Sequence, residues 1–442
     1  MTIRISQVEE ALAPFRVARW PIRPIAGRNH ASIERIDIAV IEDHAPPPGP
    51  GPGGRLPDQI EKAPSRPKAG ERRILTAMDD LKSQHAIEAH RARHIMGGER
   101  HPLMLSIISE WSGGNHVGPL RLSFACGNYD RMAALRTGDV TVEGVHLNYI
   151  AIDSPREIFD RMGSRQEFDV AEFSASEFIS RLARGERSLV AIPVFPSRVF
   201  RHSHIHINRH SGIKTPKDLE HRRMGVALYT QTAAVWIRGH LMHQYGVDLS
   251  AIRWVEGAVE KTGRHGNPSA PPLLEPAQLE RNNSSASLSE LLAKGEIDAL
   301  AGARHLHAHP DVVPIFPDAG AVERAFYAET RIFPIMHLVA IRRDRYEQNP
   351  WIAGSLYKAF VEAKKLALMQ LYRRGAHPYM LPWIQETVRE IDELFAGNPW
   401  PYGVEANRPT LEALVQYMAE QHLIERPLPI EDLFVPLAVG GA

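Results

Sequence analysis

Hydrophobic and polar positions follow two regimes along the chain, and the change falls near residue 115. From Pro119 onward, short apolar runs and amphipathic stretches succeed one another regularly. "PLRLSFACG" (119–127) is an apolar run closed by a glycine and predicts a strand, and "NYDRMAALRTG" (128–138) has the pattern of a short helix. "GVHLNYIAI" (144–152) predicts a second strand, and "SPREIFDRM" (154–162) opens with Ser-Pro, a pair suited to a helix N-cap and first turn. "FDVAEFSAS" (168–176) predicts a strand running into a helix. "LVAIPVFPS" (189–197) is continuously apolar, as in a strand buried on both faces. Residues 215–248 read as helix, strand, helix, and "IRWVEG", "IDALAGA" and "VVPIFP" predict further short strands. After "FPIMHLVAIRRD" (333–344) the pattern turns helical over 350–375, about 380–397 and 408–421.

Alternation on this scale predicts an α/β fold with largely parallel sheets. Strands that leave one domain, visit a second and return predict two lobes with a central cleft, the crossings lying near 196–204 and 330–337. Lobe I is then 119–200 plus 332–437, with the C-terminal helices, and lobe II is 201–331. Ligands of open α/β sheets bind at the carboxyl ends of strands, and those of two-lobed proteins between the lobes. Residues 1–115 carry the Pro/Gly tract "HAPPPGPGPGGRLP" (44–57), which packs no core, and are expected to be a poorly ordered extension. One short strand is expected there, over 33–42. Met104 offers an alternative start.

Composition narrows the class. The 442 residues carry 52 basic and 52 acidic side chains, so no global field recruits nucleic acid or an anionic membrane surface. Cys126 is the single cysteine, which excludes an internal disulfide and suits a reducing compartment. No apolar run approaches the ~20 residues that span a bilayer, and the first residues lack the apolar core of a secretory signal. The expectation is a cytoplasmic protein.

Polar chemistry concentrates in "FPSRVFRHSHIHINRHSGIKTPKDL" (195–219), where Arg198, Arg201 and Arg209 sit among His202, His204, His206 and His210. The His-x-His-x-His spacing admits a metal reading, and the preceding arginines an anion reading. On a strand, His202, His204 and His206 share a face. Consecutive same-face residues nonetheless stand ~7 Å apart, so three seldom converge on one ion. His305, His307 and His309 repeat the pattern, and no acidic residue completes a site. No metal is expected, and these histidines read as surface or packing groups. Gly225, Gly239 and Gly302 lack phosphate-loop spacing, so no nucleotide cofactor is expected.

A series of segments resembles the 4,5-dihydroxyphthalate decarboxylase family: "LSFACGNYDR", "FDVAEFSASEF", "AIPVFPSRVFRHS", "GIKTPKDLEHRRMGV", "TAAVWIRG", "SLSELLAKGEIDAL", "IFPIMH", "NPWIAGSLYKAFVEAK" and "WPYGVEANRPTLEAL". The resemblance runs from about 119 to 437 and leaves 1–115 unmatched. It implies a fold like that of type II periplasmic binding proteins, in a cytoplasmic enzyme. It also implies cofactor-independent decarboxylation of a small aromatic dicarboxylate, with homo-oligomerisation open. The chain departs from the family pattern at His204 and His206, in the histidine-loaded "ARHLHAHP" (303–310), and at Leu228 and Thr230.

The resemblance gives the polar residues their candidate roles. Arg198 and Arg201 flank the expected hinge and are candidates to clamp a carboxylate, since a guanidinium grips it in two-pronged fashion; pairing with acidic residues across the hinge is the alternative. Arg304 is a candidate to complete the clamp. His202 and His337 are candidate proton donors to the ring, and Glu172 a candidate base for the phenol. Asn128, Tyr129 and Arg131 follow the first strand, and Ser174 ends another, all placed to present polar groups to a ligand. Asn128 or Asp130 alternatively caps a helix. Gln231 and Thr232 open a helix whose N–H groups favour a carboxylate, with simple capping by Thr232 as the alternative. Trp236, Trp351 and Trp400 read as packing. A non-catalytic binding module and a His-ligated, metal-dependent hydrolase or decarboxylase remain the alternatives.

Overall fold

The computed structural model describes residues 118–302, 309–373 and 378–437, together with two strands nearer the N-terminus. Those two, β1 (Arg16–Pro21) and β2 (Arg35–Val40), pair antiparallel over their full length. The strand expected over 33–42 is β2; β1 had no comparable signal. The remainder of the expected poorly ordered extension lies outside the described residues. Contacts divide the chain into Met1–Gly118 and Pro119–Ala442.

Within the second unit the elements begin with β3 (Leu120–Cys126), α1 (Asp130–Thr137), β4 (Val145–Ala151), α2 (Pro155–Arg165), β5 (Val170–Ser174), α3 (Ala175–Ala183) and β6 (Leu189–Arg198). Then follow β7 (Ile205–Asn208), β8 (Arg223–Val226), α4 (Thr232–Tyr245), β9 (Arg253–Glu256), β10 (Leu279–Arg281), α5 (Leu288–Lys294), β11 (Ala299–Ala301), β12 (Val312–Pro314) and α6 (Ala319–Thr330). The chain closes with β13 (Ile335–Arg342), α7 (Arg343–Gln348), α8 (Ile352–Leu371), α9 (Ile384–Phe395) and α10 (Arg408–Glu420). The Ser-Pro signal acts as expected: Ser154 caps α2, its side chain accepting from Glu157 N–H, with Pro155 in the first turn.

The strands form two sheets, ordered β4-β3-β5-β13-β6 and β10-β9-β8-β11-β7-β12. The chain passes from the first sheet to the second between Arg198 and Ile205, and returns before Ile335. Largely parallel sheets were expected, and parallel pairing is indeed present in both, but both sheets are mixed. β13 runs antiparallel to β5 and β6, and β7 antiparallel to β11 and β12. These are the strands on either side of the two crossings, where no βαβ unit dictates direction.

One core lies about the first sheet and α8 and α10; a second lies about the other sheet. α4 serves both. Ala233, Val235 and Trp236 enter the first core, while Ala234, Ile237 and Leu241 enter the second. Trp236 also donates its indole N–H to Ile335 O on β13, at 2.9 Å.

β6 departs from a regular ladder. Val339 pairs Ile192 while His337 pairs Ser197, so β6 spends five residues where β13 spends two. Pro193 and Pro196 fall in that interval, and neither has an N–H to give. The carbonyls freed by the bulge turn to other partners: Pro193 O accepts from Gly403 N, Phe195 O from Trp400 Nε1, and Pro196 O from Arg131 Nε.

Candidate active site

The carboxyl ends of β3 and β5 lie side by side in parallel, and β13 enters between β5 and β6 from the opposite direction. Residues directly opposite on antiparallel strands face the same way. Ser174 pairs His337, and His337 pairs Ser197, so these side chains form a polar row across three strands. Glu172 precedes Ser174 by two residues and shares its face.

Glu172 is fully buried. Its Oε1 meets His337 Nδ1 at 2.5 Å and accepts from the Tyr129 hydroxyl at 2.7 Å. Its Oε2 accepts from Gly127 N–H at 2.9 Å and from the Cys126 thiol at 3.4 Å. Burial pushes this carboxyl up, but His337, the Gly127 N–H and Tyr129 together bring it below the ordinary carboxylate range. Glu172 is therefore an anion, and both oxygens are occupied. The same geometry has the reverse effect on its neighbours: burial, then the Glu172 charge, pushes the Tyr129 phenol and the Cys126 thiol up.

His337 is held differently. Its Nδ1 is on Glu172, the edge of its ring packs on Phe159 with centroids 4.8 Å apart, and 16% of the side chain is exposed. A carboxylate on one ring nitrogen fixes the orientation of the imidazole and leaves Nε2 as the nitrogen not engaged by Glu172. Gly127 is required where it stands, because a Cβ there would lie 2.8 Å from the Tyr129 ring.

Arg131 lies against the same cluster. Its guanidinium carbon sits 4.2 Å from both the Tyr129 and the Trp400 ring centroids, Nε donates to Pro196 O, and Nη1 reaches Asp130 at 3.0 Å. The capping reading for this stretch is not what the structure has: Tyr129 occupies the N-cap position of α1 without a side-chain cap, and Asp130 turns back to Arg131. Asn128 is exposed.

The remaining candidates fall elsewhere or into supporting positions. Arg198 is buried beneath the site, with Nη1 on Asn407 Oδ1 at 2.7 Å, Nη2 on Phe333 O at 2.8 Å, and the guanidinium over the Phe333 ring. Arg201 is also buried, with Nε on Met336 Sδ. His202 does not join Glu172 and His337. It stacks on His240 with centroids 4.7 Å apart, touches Phe316 and Phe326, and bonds Gln244 through Nε2. His202–His204 form a 3-10 turn and the strand begins only at Ile205, so the three histidines do not share one strand face. Gln231 occupies the N-cap position of α4 without a side-chain cap, and Thr232 is the first helical residue. The Thr232 hydroxyl bonds Ser174 Oγ at 3.0 Å and accepts from Ser176 N–H at 3.0 Å, tying α4 to the end of β5. Arg304, with His305 and His307, lies outside the described residues. Among the described residues, no group of three or more His, Cys, Asp or Glu side chains is arranged to hold a metal ion.

Sequence reasoning missed Gly127, Ser197 and Trp400. "CGNY" directly after an apolar strand was the available signal for Gly127, since glycine at a strand's carboxyl end admits close approach of backbone to a ligand group. The proline pair in "IPVFPS" was the signal for Ser197 and Trp400, because it forecasts freed carbonyls.

The 4,5-dihydroxyphthalate decarboxylase of Comamonas testosteroni is 37% identical over 324 residues, covering 72% of this chain and 98% of the relative. The chain belongs to the 4,5-dihydroxyphthalate decarboxylase family. The enzyme of the same name from Pseudomonas putida is 37% identical over 214 residues, covering 47% of this chain and 81% of its own length. No family model matches. Solved structures with a similar trace include the periplasmic aliphatic sulphonate binding protein SsuA from Escherichia coli (12% identity, TM-score 0.42, 72% of this chain and 92% of that one). The desulfurization enzyme DSZB is another (14% identity, TM-score 0.36, 72% and 96%).

Proposed function

We propose that the protein is a carboxy-lyase that converts a dihydroxylated aromatic dicarboxylate, 4,5-dihydroxyphthalate or a near relative, into protocatechuate and carbon dioxide. The observation that carries this reading is the 37% identity to a decarboxylase matched over 98% of its length. The residue types at the site suit the reaction. In this substrate each carboxylate is para to a hydroxyl, so loss of the phenolic proton to water, which returns it to the oxygen of the product, sends electron density to the carbon that bears the carboxylate. Protonation of that carbon, rupture of its bond to the carboxylate and release of carbon dioxide then restore the aromatic ring.

In our reading His337 delivers the proton to the ring through Nε2, and Glu172 is its positioning partner and counter-charge. This differs from the expected use of Glu172 as the phenol's base, because a carboxylate with no exposure and two occupied oxygens has no lone pair to offer. Arg131 anchors the spectator carboxylate, assisted by the row of Ser174 and Ser197. Arg198, committed to two carbonyls and Asn407, supports the floor. We assign His202 a packing role. The two sheets are taken as two lobes, 119–200 with 332–437 and 201–331, the substrate lying between them at the His337 end of β13. Apolar walls such as Phe159 leave the departing carboxylate poorly solvated, which favours neutral carbon dioxide. Among the described residues no helix is long and apolar enough to cross a membrane, and the lone thiol fits a cytoplasmic location.

Purified protein supplied with 4,5-dihydroxyphthalate should release carbon dioxide and protocatechuate, and turnover in heavy water should place one deuterium at the vacated ring position. Phthalate, lacking the para oxygen, should bind without reacting. Decarboxylation of phthalate would refute the phenol-driven mechanism, and no turnover of either compound would refute the activity.

A further inference from the structure

We propose that Trp400 is a positioning residue for substrate binding, acting through Arg131. The inference rests on the reading of Arg131 as the carboxylate anchor. Trp400 was expected to be packing alone, but three contacts fix its ring as a platform. Its Nε1–H donates to Phe195 O at 2.8 Å, its backbone carbonyl accepts from Lys364 Nζ at 2.9 Å, and Phe333 packs edge-on against it with centroids 5.5 Å apart. The carbonyl that receives the indole is one of those freed by the Pro193–Pro196 bulge of β6.

The guanidinium carbon of Arg131 lies over this indole and over the Tyr129 phenol, 4.2 Å from each centroid. A guanidinium is weakly hydrated on its faces and donates only in its plane. Two rings in contact with the group restrict how it can turn and leave its N–H groups to donate in the plane. Nε is taken by Pro196 O and Nη1 by Asp130, so the Nη2 edge is what remains for a ligand oxygen. Tyr129, the other ring, also donates to Glu172, which holds His337. A continuous chain of contacts thus runs from the indole through the anchor to the proton donor, and fixes the distance between carboxylate and acid. Removing the indole removes one of the two ring contacts of Arg131, and binding must then order that side chain.

The test compares steady-state kinetics of the full chain carrying Trp400→Leu, Trp400→Phe, Arg131→Met, and Arg131→Met with Trp400→Leu, on 4,5-dihydroxyphthalate. Trp400→Leu should raise KM about tenfold, the scale of a desolvated cation–π contact, while kcat stays within about twofold. Trp400→Phe, which keeps an aromatic face, should recover most of that loss. In the Arg131→Met background Trp400→Leu should add nothing, because its effect passes through the missing guanidinium. Additive losses in the double variant, or a fall in kcat with KM unchanged, would overturn the proposal. If Arg131→Met itself leaves KM unaltered, the anchor reading fails; if Arg131→Met raises KM and Trp400→Leu does not, only the role of Trp400 fails. Should Trp400→Leu not fold by circular dichroism, Trp400→Met, which keeps bulk without a ring face, takes its place with the same expected and overturning results.

Discussion

At the scale of single residues, the site turns on how differently two adjacent titratable groups are housed. Glu172 gives up all exposure and gains four partners; His337 keeps one nitrogen on Glu172 and part of its side chain exposed. His337→Asn should lose ~10²–10⁴ in turnover, the range for a general acid, with substrate binding retained in equilibrium titration. Glu172→Gln should lose less, since it weakens the carboxylate contact that orients the imidazole but leaves the ring itself in place. If Glu172→Gln abolishes turnover while His337→Asn does not, the two roles are reversed. The sign of the acid response follows from the lowered Glu172 pKa. Stability from its ionised form is in place above the ordinary value of 4.5 and is lost as pH falls through the lower folded-state value.

At the scale of elements, α4 carries the most information. Gly239 faces α10, and a Cβ there would meet the Tyr417 ring. Gly239→Ala should therefore destabilise by ~1–3 kcal/mol through overpacking, despite alanine's better helix propensity. A denaturant midpoint at or above wild type would show that the two helices yield at little cost. The next residue, His240, is buried with neither ring nitrogen bonded, stacked on His202 and close to Trp236 and Phe326. Burial, then the neighbouring His202 and Arg201 charges, pulls its pKa well below the ordinary 6.5. Above that value the imidazole is neutral in both states; below it the unfolded chain takes a proton that the folded chain refuses. Stability should thus decline as pH drops below about 6.5. His240→Phe should flatten that decline and leave neutral-pH stability no lower than wild type, because an unpartnered buried polar group is removed. A steep loss at neutral pH would mean the ring nitrogens are satisfied by buried water.

At the scale of the whole molecule, the relative from Comamonas testosteroni aligns with 72% of the chain, and contacts separate Met1–Gly118 from Pro119–Ala442. A protein beginning at Met104 should fold with an unchanged melting temperature and retain full turnover. Loss of either would make residues before Met104 part of the working enzyme. Inside the second unit, α4 belongs to both cores and Gln421 bonds both Arg238 and Val235 O. The two sheets are joined by a packed helix as well as by the two crossings.

Much of the fold was legible because its signals are local. "LRLSFAC", "LVAIPVFPS" and "IMHLVAIR" are apolar runs of strand length, and Ser154-Pro155 marks a helix start whatever surrounds it. The strand read into the histidine stretch was placed too early, because the alternation alone does not show that His202–His204 form a 3-10 turn and that the ladder with β11 and β12 starts only at Ile205. The directions of β7 and β13 were hidden for a related reason, since pairing at a crossing is set by where the chain re-enters a sheet. For the site, residue types were readable and partnerships were not. His202 and His337 look equally fit for proton transfer as letters, and Arg131 no fitter than Arg198. Glu172 and His337 stand 165 residues apart in the chain, and no periodicity reaches across such a separation. The sequence by itself determined which segments become strands and helices and which chemistries are on hand. Only the tertiary structure decided which histidine receives a buried carboxylate and which arginine lies against aromatic rings, because those choices depend on long-range pairing and desolvation.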